Sequence, residues 1–221
     1  MTQTALITGA NRGIGLELAK QLKARGTSII ASVRRSTPEL EALGVRILDG
    51  IDVSTTQGLA TLKEALGSVS VDLLINNAGI LRSTSLDNLD SAAIREQFEV
   101  NALAPLLLTQ TLLPHLSKGA KVALITSRMG SMADNSSGGH YGYRMSKAAL
   151  NAAGKSLAVD LAPKGIAVGL LHPGWVKTEM TGNTGNVTAA EAATQLLARI
   201  DGLNLDNTGT FFHANGEVLP F

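Results

Sequence analysis

TALITGANRGIG, residues 4–15, sets a short apolar run against a glycine-rich turn and leads straight into the helical pattern IGLELAKQLKARG. TALIT reads as a buried strand. Gly9, Gly13 and Gly15 let the backbone turn sharply and approach a bound group closely, with Asn11, Arg12 and Ile14 between them. The N-terminus of the helix that follows offers free N–H groups and a partial positive charge, a combination suited to a pyrophosphate. A glycine-rich stretch alone is equally a plain turn. The strand, loop and helix in this order are what point to dinucleotide binding.

Further along, β-type runs alternate with amphipathic ones. SIIASV, VRILDGID, VDLLIN, KVALITS, IAVGLLHPG and GTFFHANG are separated by segments that include PELEALG, Thr55 to Leu66, a stretch through Asn101 and the helix that carries Tyr143. Strand–helix alternation predicts βαβ units around a parallel sheet with helices on both faces, an α/β doubly wound Rossmann-type fold. No repeat, low-complexity block or Pro/Ser-rich linker divides the 221 residues, so residues 1–221 are expected to form one domain.

Composition removes several function classes. The chain has no cysteine, which excludes disulfides, a thiolate nucleophile and a cysteine-ligated metal. Its formal net charge of +1 gives no general attraction to nucleic acid or to an acidic membrane surface. His140, His172 and His213 are scattered without ligand spacing, so no metal site is expected. No basic leader with an apolar core opens the chain, and no run of about 18 apolar residues occurs, which predicts a cytoplasmic protein.

About twenty residues past the glycine loop, where an acidic side chain would hold the ribose hydroxyls of NAD, the sequence has Ser32-Val33-Arg34-Arg35. Arg34 suits a 2′-phosphate, with Arg12 as a second cation, so NADP(H) is favoured. The alternative is a solvated arginine pair at a strand end. Asp52, with Val53 beside it at the end of the third strand, would accept from the adenine amine or cap the next helix, as would Ser54.

Tyr143 and Lys147 stand four residues apart in YRMSKAALN and share a helix face. Alone, this spacing is an aromatic beside a long cation as readily as a reacting pair. Ser127 alone would be a turn serine, and Asn101 a buried amide. Their order decides. TGANRGIG, NNAG at 76–79, Asn101 in FEVNALAP, Ser127 after KVALIT, Tyr143-x-x-x-Lys147 and Pro173-Gly174 together resemble the short-chain dehydrogenases/reductases over essentially the whole chain. SRMGSM, YRMSKAALN, HPGWVKTEM and GTFFHANGEVLPF are similar to sniffer-type carbonyl reductases and bacterial C-factor-like proteins.

The resemblance implies that Tyr143 is the acid/base at a carbonyl or secondary alcohol, with its pKa lowered by Lys147 and by the oxidised nicotinamide. Lys147 would also bind the nicotinamide ribose. Ser127 would hold the substrate carbonyl, and Asn101 would support a water-mediated proton path. Val100, Asn77, Ala78 and Gly79 would admit the cofactor, and Pro173, Val176 and Thr178 would contact its carboxamide and pyrophosphate. The expected substrate is a small-molecule carbonyl or alcohol. The loops at 129–140 and 178–186 would shape its site, and SSGGH before the tyrosine helix lengthens the family's usual spacing. A sensing or signalling protein of C-factor type is the alternative, and the intact Asn101, Ser127, Tyr143 and Lys147 set argues against it. The apolar stretches Ala92 to Leu116 and Ser146 to Leu161 suggest a homodimer or homotetramer.

Overall fold

The computed structural model describes residues 3–221. Strands β1 (Thr4–Thr8), β2 (Ser28–Ser32) and β3 (Arg46–Leu48) are linked by helices α1 (Gly13–Ala24) and α2 (Pro38–Glu41). Then follow α3 (Thr56–Leu66), β4 (Val71–Asn76), α4 (Ser91–Phe98), α5 (Ala104–Leu112), β5 (Leu116–Ile125), α6 (Tyr141–Leu161) and β6 (Ala167–His172). The chain closes with β7 (Val176–Lys177), β8 (Val187–Thr188), α7 (Ala189–Asp201) and β9 (Phe211–His213).

Seven strands form one parallel sheet in the order β3-β2-β1-β4-β5-β6-β9, and β7 pairs with β8 apart from it. The order reverses between β1 and β4, so the helices after these strands leave on opposite faces and a crevice opens at the strands' carboxyl ends. Helices cover both faces, which is why β1, β4 and β6 are buried along nearly their whole length rather than at alternate residues. One apolar layer joins the sheet to α1 and α7 through Leu18, Leu22, Leu196 and Leu197; the other joins it to α3, α5 and α6 through Leu62, Leu108, Leu157 and Leu161.

The sequence reading did not anticipate α7. It is amphipathic, burying Ala192, Ala193, Leu196, Leu197 and Ile200. Its start is a reciprocal cap: Glu191 N–H donates to Thr188 Oγ1 at 3.2 Å, and Thr188 N–H donates to Glu191 Oε2 at 2.8 Å. Burying each leucine contributes roughly 1.5–3 kcal/mol, so Leu196→Ala or Leu197→Ala, both at fully buried positions, would weaken the hold of α7 on the sheet. The third strand ends at Leu48, which leaves Asp52 in the following turn rather than on the strand. Thr55, not Asp52 or Ser54, caps α3, accepting from Gly58 N–H at 2.9 Å.

Between α4 and α5 the helix widens into a π-type turn over Glu99–Leu103. Such a turn re-aims one side chain within a continuous helix, and the residue at its centre is the buried Asn101. No helix among the described residues is long and apolar enough to cross a membrane.

Candidate active site

The glycine loop is built for close approach. Gly9 and Gly13 take φ of +66° and +53°, a region that costs other residues. At Gly15 the constraint is space: a Cβ there would stand 2.3 Å from the Gly9 carbonyl oxygen and 2.5 Å from Asn77 Nδ2. The NNAG turn after β4 is stitched to this loop. Asn77 Nδ2 donates to the carbonyls of Thr8 (3.0 Å) and Gly9 (3.1 Å), while Thr8 Oγ1 accepts from Asn77 N–H (3.1 Å) and Ala78 N–H (3.0 Å). Arg12 at the head of α1 makes no side-chain cap, so the first N–H groups of the helix face the crevice without one. These features fit a pyrophosphate.

A cleft of about 680 Å³ runs from this loop along the sheet's carboxyl edge. Gly9, Asn11, Arg12, Gly13, Ile14, Gly15, Arg34, Asp52, Val53, Asn77, Ala78, Gly79, Val100, Pro173 and Thr178 line it, as do Tyr143 and Lys147. Val176 lies outside its wall: the side chain is buried and the backbone pairs with Val187 in the small sheet. Arg34 is exposed at the mouth, whereas Arg35 contributes its carbonyl, which accepts from Asn11 Nδ2 at 3.1 Å. Burial opposes ionisation of Asp52, yet hydrogen bonds from Ser54 and the charge of Arg34 hold its carboxyl below the ordinary value. Both Ser54 bonds, from N–H (3.0 Å) and hydroxyl (2.6 Å), end on Oδ1.

Arg12 does not stand free. Its guanidinium pairs with Glu179 across the mouth, tying the glycine loop to the turn after β7. The 178–186 segment, expected to shape the substrate site, contributes Glu179, Met180 and Asn183 to this wall, whereas the roles of Thr8 and Thr126 on it were not anticipated. The pairing of Arg12 with Glu179, 167 positions away, had no local signal.

At the inner end of the cleft Tyr143 and Lys147 are both buried on one face of α6. Lys147 Nζ donates to the Ile125 carbonyl at 2.8 Å and lies 5.8 Å from the Tyr143 ring centre. Burial pushes the Tyr143 phenol up to about 12, against a smaller lowering by the Ser127 side chain, and it pushes Lys147 down to about 8. The sequence expectation was a phenol lowered by its lysine. In the protein alone desolvation wins, because the ammonium spends its short contact on a backbone carbonyl rather than on the phenol oxygen.

Ser127, just beyond β5, is buried and its hydroxyl accepts from Met129 N–H at 3.2 Å. Asn101 Oδ1 accepts from Ile80 N–H (2.8 Å), and its Nδ2 donates to Ile80 O (2.8 Å) and Ser146 Oγ (3.0 Å). Thus Asn101 braces the loop after Gly79 against the start of α6. Neither Ser127 nor Asn101 lines the cleft itself.

The lengthened segment before Tyr143 is pinned. Arg144 Nε donates to the carbonyls of Gly138 and Gly139, each at 3.2 Å, and Nη2 donates to Ser137 Oγ at 2.8 Å. His140, at φ +48°, holds the bend into α6 through its N–H to Thr84 O at 2.7 Å. His172 and His213, expected to be scattered, are register partners on β6 and β9 with ring centres 4.9 Å apart. Burial, with nearby positive charge from His213, Arg128 and Lys147, lowers His172 to about 3.

Residues 3–189 match the short chain dehydrogenase family. The chain belongs to that family. It is 38% identical over 224 residues to a 1-hydroxy-2-glutathionyl-2-methyl-3-butene dehydrogenase of Rhodococcus sp. strain AD45, covering 99% of each chain. It is 47% identical over 154 residues to the C-signal protein of Myxococcus xanthus, covering 68% of this chain and 93% of that one. Two solved carbonyl reductases superpose along the chain. The carbonyl reductase Sniffer of D. melanogaster does so with a TM-score of 0.90 at 30% identity, covering 100% of both chains. The NADPH-bound carbonyl reductase from chicken fatty liver gives 0.88 at 31% identity, covering 100% of this chain and 99% of that one.

Proposed function

We propose that this short chain dehydrogenase is an NADPH-dependent carbonyl reductase. The observation that carries the reading is one continuous cleft with a glycine cradle and, at one end, Arg34 with no ion pair among the described residues, and at the other a buried phenol whose pKa of about 12 keeps it protonated at neutral pH. A protonated phenol is the form a reductase needs, because reduction ends with a proton delivered to the carbonyl oxygen.

The glycine loop and the head of α1 would hold the pyrophosphate, Arg34 the 2′-phosphate and Lys147 the nicotinamide ribose. A bound reduced nicotinamide supplies the hydride. Ser127 would fix the carbonyl oxygen by hydrogen bond, and Tyr143 would give that oxygen its proton. Lys147 would favour the phenolate left behind. Asn101 would support resupply of the proton through water while its amide braces Ile80 and Ser146. Exposed Phe98, Met145 and Val159 on α4 and α6 would serve a homodimer or homotetramer, to be checked by sedimentation.

The test is titration with NADPH and NADH, followed by oxidation of the bound cofactor by aldehydes, ketones and quinones, with Tyr143→Phe alongside. NADPH preference, with turnover lost in the variant, is the expected result. The likeness to C-signal supports one second reading, an NADP(H)-binding signalling protein. Tight NADPH binding, no turnover across the panel and an indifferent Tyr143→Phe would favour it.

A further inference from the structure

Between the two residues that meet Lys147 and Tyr143 sits one to which no role has been given. Thr126 follows Ile125, whose carbonyl receives the Lys147 ammonium at 2.8 Å, and precedes Ser127, whose side chain bears on the phenol. Thr126 is itself held from two sides. Its N–H donates to Leu171 O on β6 at 2.8 Å, and its hydroxyl donates to Asn151 Oδ1 at 2.7 Å. Asn151 lies one turn beyond Lys147 and two beyond Tyr143, on the buried face of α6. Both residues are 2% exposed.

This polar pair is out of character with its surroundings. Further along α6 the contact with the sheet is apolar, with Leu150, Leu157 and Leu161 sharing one buried cluster with Leu124 and Val168. The pair also leaves Asn151 Nδ2 buried with no partner among the described residues. An apolar pair of similar volume would fill the space without an orphaned donor. Apolar contacts, however, allow a helix to slide and turn slightly, whereas a short hydrogen bond between buried groups fixes direction and register. Gly130 adds a seat for the backbone of α6, since a Cβ there would stand 2.7 Å from Lys147 C. That contact sets separation, not register.

We propose that Thr126 and Asn151 are positioning residues: their hydrogen bond locks the end of β5 to α6, so that Ser127 and the Ile125 carbonyl meet Tyr143 and Lys147 at fixed distances. The proposal rests on the acid/base reading of Tyr143. Misplacement of reacting groups by about 1 Å costs on the order of 100-fold, and the lock acts on both pairs at once.

The experiment compares Thr126→Val, Thr126→Ser and Asn151→Leu with the parent and with Tyr143→Phe, using NADPH and 4-nitrobenzaldehyde or phenanthrenequinone. Thr126→Val keeps the branched shape and removes the hydroxyl; Thr126→Ser keeps the hydroxyl. We expect kcat to fall by about 10- to 100-fold in Thr126→Val and Asn151→Leu, with the melting temperature nearly unchanged and the NADPH Kd moving far less than kcat, and Thr126→Ser to recover most of the loss.

A second readout needs no turnover. The Lys147 side-chain signal, identified in lysine-labelled protein by its absence in Lys147→Met, should titrate near 8 in the parent. It should move further downward in Thr126→Val, as the ammonium loses its well-placed carbonyl acceptor, and return in Thr126→Ser. The titratable groups facing it are Tyr143 on α6 and His172 on β6, both unchanged in these variants. An unmoved Lys147 titration overturns the proposal, as does kcat within about twofold of the parent in an active protein, or a lowered melting temperature with kcat retained. If Tyr143→Phe turns over like the parent, the acid/base reading fails instead, and the Lys147 titration still decides whether the lock holds.

Discussion

Lys147 reaches past the Tyr143 ring, 5.8 Å from its centre, to bond the Ile125 carbonyl at 2.8 Å. The contact orients the ammonium but does not replace its lost hydration, so the folded pKa is about 8 against an ordinary 10.5. Below pH 8 both folded and unfolded chains carry the proton and the full cost is present. Between 8 and 10.5 the unfolded chain holds more protons, so this group makes stability rise with pH. Lys147→Met should therefore gain most over the parent at pH 7, with the advantage shrinking by roughly 2–4 kcal/mol by pH 10.5. Urea unfolding at several pH values checks it.

Cofactor choice should follow Arg34, which is exposed on the cleft and makes no ion pair among the described residues. Arg34→Ala should raise the NADPH Kd roughly 10- to 100-fold, as for loss of a charge-assisted bond, and leave the NADH Kd nearly unchanged. Glu179→Gln should free Arg12 and tighten NADPH binding by at most about fivefold, since exposed pairs are worth little. Fluorescence titration at low and high salt reads both effects.

His172 predicts an acid limb. Its folded pKa of about 3 lies below the ordinary 6.5, so the unfolded chain binds the extra proton first as pH falls. Stability due to this group is present above 6.5 and is lost on the way down to 3, at about 1 kcal/mol per pH unit. His172→Gln should flatten that slope, as thermal unfolding between pH 7 and 4.5 would show.

Gly15→Ala should damage both fold and binding. The new methyl would stand 2.3 Å from the Gly9 carbonyl oxygen, which is backbone and cannot step aside alone. We expect a loss of roughly 1–3 kcal/mol in stability and severely weakened NADPH binding, read by calorimetry.

The sequence already carried the sheet, because buried parallel strands write themselves as largely apolar runs: VDLLIN, interrupted by Asp72 and closed by Asn76, coincides with β4, residue for residue. Most of the cleft was legible for a similar reason, since glycine spacing and the Tyr143–Lys147 interval are local. α7 was missed although Thr188-Ala-Ala-Glu191 spells its cap and its apolar residues recur at helical spacing. The π-type turn that aims Asn101 has no comparable local signature. Arg12–Glu179 and Thr126–Asn151 are unreadable in another way, because each joins segments that only the finished fold brings together. Likewise, the direction of the Tyr143 shift depended on burial, which spacing does not reveal.

Helix α6 presents Tyr143, Lys147, Asn151, Gly154 and Leu161 from its buried side. Gly154 admits Leu124 and Leu170, with room for no Cβ: one would stand 2.7 Å from Leu124 Cδ1. The same helix is therefore both a structural beam and the carrier of the reacting groups. For protein engineering this sets a division of labour. Variation along the buried side of α6 puts foldability at risk together with chemistry, whereas the exposed stretch around Met132 and the wall around Met180 can diversify while that beam stays fixed. A library seeking new substrates belongs in those two segments.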